Sequence, residues 1–118
     1  MTIRPEQLNA LAMTSNRGLL TEHAWANHAA AAGVLGNAAL RRTVDAVITR
    51  CIQYRLERTS DYLRVMDLVM VFGADWEDKE LQWMDEGMRD TRIADPGLRL
   101  KKLWRQALRR LAAEAECQ

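Results

Sequence analysis

The stretch Tyr62-Leu63-Arg64-Val65-Met66-Asp67-Leu68-Val69-Met70-Val71-Phe72 decides the fold class. It is apolar almost all round, and Thr59 or Ser60 before it and Gly73 after it are natural helix boundaries. A helix of this kind is expected at the centre of a fold rather than on its rim. A continuous apolar run such as Leu68–Phe72 is also compatible with a short buried strand. No second strand candidate exists in the chain to pair with it, so a central helix is the expectation.

The flanking segments carry the period of amphipathic helices. Upstream, Leu40, Val44, Val47, Ile48, Cys51, Ile52 and Leu56 recur at spacings of three and four, with Asn37 as an N-cap. Before that, Pro5 suits a first helical turn. Leu8, Leu11, Ala12, Leu19 and the alanines of 24–32 then propose a first helix that ends at Gly33 and Gly36. Gly18 lies within it and suggests a kink near Asn16–Gly18. Downstream, Leu81, Met84 and Met88 mark a short helix over about Glu77 to Arg89. Asp95-Pro96 opens a last one reaching about Ala115, with Leu100, Leu103, Trp104, Ala107, Leu108 and Leu111 as its apolar stripe. The expected architecture is all-α: one compact bundle of four to five helices spanning residues 1–118 as a single domain.

Length and composition agree. A chain of 118 residues with 48% hydrophobic and 28% charged residues can bury a core without staples. Two cysteines, Cys51 and Cys117, exclude a disulfide framework. No apolar run approaches the length of a membrane span and no secretory leader is visible, so a soluble, cytoplasmic protein is expected.

The formal net charge of +1 conceals a basic–acidic–basic order. Residues 1–58 hold seven arginines against four acids, residues 59–95 ten acids against four bases, and residues 96–118 six bases against two acids. Segment charges are therefore +3, −6 and +4.

Four kinds of site compete with plainer explanations. His23 and His28 are five residues apart, so on a continuous helix they diverge by about 140° and no metal site is expected. Asp75, Glu77, Asp78, Glu80, Asp85 and Glu86 crowd together, but at a helix start acids are favoured by the dipole, and a solvated acidic face is the plainer reading. No catalytic signature or phosphate-cradling glycine loop is present, so no enzyme and no cofactor are expected. The bases of 99–110, with Arg41, Arg42, Arg50, Arg55 and Arg58, make nucleic-acid binding an alternative that the acidic middle opposes. Four tryptophans, at 25, 76, 83 and 104, suit core filling or interface anchoring. Trp76 and Trp83 lie in the acidic region and are expected to be partly exposed. Asp75, Trp76, Asp78, Glu80 and Trp83 are thus the candidate partner-binding residues, and the stripe of the last helix is long enough to support a homodimer.

Several segments together resemble a known pattern. They are Ile3-Arg4-Pro5-Glu6-Gln7-Leu8; then Val47, Ile52, Tyr54-Arg55-Leu56, Asp61-Tyr62-Leu63-Arg64, Asp67-Leu68 and Phe72-Gly73-Ala74-Asp75-Trp76; then Trp83, Asp90, Ile93-Ala94-Asp95-Pro96 and Arg99-Leu100. In order and spacing, over residues 3–103, the chain resembles small helical accessory proteins encoded beside effector, adaptor and spike genes of bacterial type VI secretion systems. It departs from them where a His-Phe-Pro element often closes the first helix; here that region reads His23-Ala24-Trp25-Ala26-Asn27-His28. The resemblance implies a non-enzymatic role by binding a protein partner. That role is either an effector co-chaperone or adaptor, or an immunity protein that neutralises a cognate effector.

Overall fold

The apolar run at residues 62–72 is helical and central. In the computed structural model, which describes the backbone of residues 5–116 and the side chains of residues 16–116, five helices follow one another: α1 (Pro5–Asn27), α2 (Ala29–Gln53), α3 (Thr59–Phe72), α4 (Gln82–Met88) and α5 (Pro96–Glu116). Among the described residues there is no strand, so the all-α reading holds. Helix α3 packs against α1, α2 and α5, while α4 packs on α5. Tyr62, Val65, Met66, Leu68 and Val69 of α3 are buried. They meet Val44, Val47, Ile48 and Cys51 of α2 and Leu100, Leu103 and Ala107 of α5 in one core. The body measures 58 × 38 × 22 Å. Among the described residues, no helix is long and apolar enough to cross a membrane. Leu8, Leu11, Ala12 and Cys117, assigned above from sequence, lie outside the described side chains.

The helix boundaries differ from the sequence reading in four places. Helix α1 runs through Asn16–Gly18 without a kink. It ends at Asn27 rather than at Gly33, because His28 leaves helical geometry (φ −135°, ψ 42°) and α2 restarts at Ala29. The break at Gly36 is real: its φ of 78° and ψ of 167° interrupt α2, and positive φ is cheap only for glycine. Helix α3 starts at Thr59 with Arg58 as N-cap and no side-chain capping bond, so neither Thr59 nor Ser60 caps it. Helix α4 is shorter than expected. Asp75 and Asp78 each turn a carboxylate back onto the backbone, accepting the N–H of Glu77 (3.2 Å) and of Glu80 (3.0 Å). Those local bonds compete with helix and hold residues 75–81 as turns. The Asp95-Pro96 start of α5 is as expected, with Asp95 Oδ1 accepting the Gly97 N–H at 3.1 Å.

Two glycines give opposite expectations. Gly73 closes α3 at φ 111°, a conformation strained for any residue with a Cβ. Gly73→Ala should cost about 1–3 kcal/mol in chemical denaturation. Gly18 sits inside α1 with open space where a Cβ would be. Gly18→Ala should stabilise by up to about 1 kcal/mol through helix propensity, and an unchanged denaturation midpoint would contradict that.

Candidate functional site

The loop after α3 concentrates negative charge on its outside and is anchored from beneath. Asp75, Glu77, Asp78 and Glu80 are all exposed, with Lys79 among them. Among the described ion pairs, none involves these four carboxylates. Trp76 faces inward and is completely buried, contrary to the expected partial exposure. The reason is local. Its indole N–H donates to the Gly73 carbonyl at 3.0 Å, its ring stacks on Tyr54 (centroids 6.2 Å apart), and the Arg50 guanidinium lies 4.4 Å from its centroid. Arg50 also donates to the Ala74 carbonyl at 3.0 Å. Trp76 is therefore the post on which the acidic loop stands, not a surface anchor.

Trp83 is half-buried, in keeping with the partial exposure expected of it. Its indole N–H donates to the Glu80 carbonyl at 3.0 Å, Phe72 meets it edge-on at 5.6 Å, and the Arg110 guanidinium covers its face at 4.1 Å. It ties the end of the loop to α3 and α5. Of the five residues selected from sequence, Asp75, Asp78 and Glu80 present charge outward, Trp83 is partly accessible, and Trp76 is withdrawn.

Beneath the loop, a polar network joins α2 to α4. The Tyr54 hydroxyl donates to Asp85 Oδ1, Arg50 donates to the Tyr54 oxygen at 3.3 Å, and Arg89 donates to both Asp85 oxygens at 2.9 and 3.0 Å. Burial, reinforced by the bond to Asp85, pushes the Tyr54 hydroxyl up to about 12. Burial works to raise Asp85, but the hydrogen bonds from Tyr54 and Arg89 prevail and hold it below its ordinary value.

The basic segments of the chain converge elsewhere. Arg55, Arg58, Arg64, Arg99 and Lys101 line an open groove between the α2–α3 turn and the start of α5, together with Glu57, Asp61 and Asp95. Arg99 is committed to structure there, donating to the carbonyls of Ile93 (2.6 Å) and Met88 (3.3 Å). Bases and acids share this groove, with Asp61, Arg64 and Asp95 coming from the acidic middle of the chain.

A third neighbourhood overturns the expected divergence of the two histidines. The break at His28 interrupts the 100° per residue rotation, and both rings turn towards α3. His23 Nε2 and His28 Nε2 each lie 2.7 Å from the same oxygen, Asp67 Oδ1. The rings are 6.1 Å apart edge-on, and the Asn27 amide nitrogen lies 3.2 Å from His23 Nδ1. A signal for this cluster exists in the sequence: Asp67 is the lone acid inside the run from Val65 to Phe72, and such an acid needs a polar partner from a neighbouring element. What hid the partners was the assumption of one continuous helix.

No protein-family model matches the chain, and neither does any curated protein or solved structure.

Proposed function

We propose that this chain is a non-enzymatic, cytoplasmic protein-binding module, an accessory of a type VI secretion effector that acts as its co-chaperone or adaptor. The carrying observation is the loop of Asp75, Glu77, Asp78 and Glu80, whose carboxylates are exposed and make no described ion pair. A loop already held in shape by Trp76, Trp83 and two aspartate turns loses little freedom when a partner docks. Exposed carboxylates without a described ion partner on such a support suit a basic protein surface, where charge complementarity sets register and association rate. The resemblance to secretion-associated accessory proteins supports the same reading.

The clean variant is Glu77→Lys combined with Glu80→Lys, because neither side-chain carboxylate accepts a described hydrogen bond. Stability should change by less than about 1 kcal/mol. Affinity for any secretion effector or adaptor found encoded beside this gene should fall at least tenfold, and more steeply at low salt. Undiminished capture by the double variant would sink the acidic loop as the binding surface. Failure of the unmodified chain to bind either neighbour would sink the accessory role. Coexpression with the effector separates the immunity alternative: protection from toxicity supports immunity, and unchanged toxicity with lost secretion supports the chaperone.

A further inference from the structure

We propose that His23, His28 and Asp67 form a binding site for a divalent transition-metal ion of the zinc class, stapling the α1–α2 junction to α3. The ligand atoms of the three residues lie within 4.8 Å of one another. Two imidazole nitrogens and one carboxylate oxygen are the donor types that zinc takes, and three protein ligands leave a fourth position for water. All three side chains are partly exposed, between 17% and 25%, so an ion can reach them from solvent.

The distances bear on the binding event. Metal–ligand bonds of about 2.0–2.1 Å at tetrahedral angles place neighbouring ligand atoms about 3.3 Å apart. The two Nε2···Oδ1 separations are 2.7 Å, so the carboxylate must withdraw by about 0.6 Å from each ring to admit an ion. Charge favours the exchange. Asp67 has no arginine or lysine in its described ion pairs; its only partners are the two imidazoles. A cation between them would meet a carboxylate that has no arginine or lysine partner among the described residues.

The surroundings supply an orienting partner as well. When Nε2 of His23 binds metal, the ring proton moves to Nδ1, and a metal-bound imidazole is commonly held by an acceptor there. The Asn27 amide is 3.2 Å from His23 Nδ1, and it can present its oxygen to that proton only by turning end for end and releasing the bond its nitrogen donates to the His23 carbonyl at 3.1 Å. The ligands come from the end of α1, the non-helical residue that follows it and the middle of α3. Metal would therefore fix the junction between α1 and α2. This site is separate from the acidic loop, and its test does not depend on the secretion role.

The experiment uses the full chain, stripped with a chelator and titrated with Zn²⁺ by calorimetry and with Co²⁺ by visible absorption. The expected result is one ion per chain with micromolar or tighter affinity. The Co²⁺ spectrum should be that of a four-coordinate ion without thiolate charge transfer, and saturating Zn²⁺ should raise the melting temperature by several degrees. Asp67→Asn and His28→Gln should each weaken binding at least tenfold. His28→Gln retains an N–H donor towards Asp67, so it keeps the hydrogen bond and the fold while removing the ligand; circular dichroism and the metal-free melting temperature check this. Zn²⁺ binding equal in the unmodified chain and in a folded His28→Gln variant would overturn the site, as would no binding at micromolar concentrations. In either case the three residues are a hydrogen-bonded staple alone.

Discussion

Trp76→Ala is expected to lower the unfolding free energy by about 3–5 kcal/mol and the melting temperature by more than about 10 °C. The side chain is completely buried and takes part in a stack with Tyr54, a cation–π contact with Arg50 and a hydrogen bond to Gly73. Truncation leaves a cavity, strips Arg50 of an aromatic face and frees the loop that carries Asp75, Glu77, Asp78 and Glu80. Trp25→Ala is the control. Trp25 is 42% exposed on α1, and its removal should cost about 1 kcal/mol or less. Similar losses for the two variants would show that the burial of Trp76 does not support the fold. If Trp76 holds the acidic loop in shape, partner affinity should fall with Trp76→Ala even at temperatures where the variant is still folded.

Raising the pH should destabilise the protein through Cys51. This thiol is buried in the core, and burial, with a contribution from nearby Asp61, pushes it up to about 12 from its ordinary value of 9.0. A group with a raised folded value contributes its full stability below the unfolded value and loses it as pH climbs towards the folded one. The window for Cys51 therefore opens near pH 9 and closes near pH 12. By pH 11 the loss should be about 2–3 kcal/mol. Tyr54 acts in the same direction from about pH 10. Cys51→Ala removes the thiol part, so the difference in denaturation midpoint between wild type and variant should shrink steadily between pH 9 and 11. A constant difference across that range would contradict the argument. In a Cys117→Ser background, Cys51 should also react with thiol reagents only as fast as the core opens.

Helix-forming segments were legible because their causes are local. The spacing from Leu40 to Leu56, the apolar run at 62–72 and the Asp95-Pro96 start are each written within a few residues, and each appears as α2, α3 or α5. The all-round apolar character of the third segment also placed it correctly against three other helices. Boundaries fared less well where two local forces competed. Residues 77–81 have helix-compatible composition, yet the Asp75 and Asp78 carboxylates capture backbone N–H groups first.

The functional surface was legible as charge and illegible as geometry. Asp75, Asp78 and Glu80 are exposed because carboxylates resist burial wherever the loop goes. Whether Trp76 points in or out depends on what lies beneath it. Tyr54 and Arg50, more than twenty residues away in the chain, supply the stack that takes it inside.

Composition and periodicity were enough to establish an all-α chain, the order of its helices and the segregation of its charge, since each follows from interactions within a few residues. Packing between helices settled the burial of Trp76, the meeting of His23, His28 and Asp67, and the gathering of basic side chains beside the start of α5. One residue at non-helical angles, His28, shows why. Its conformation redirects a ring that a continuous helix would have turned away, and it brings together atoms separated by 39 and 44 positions in the chain.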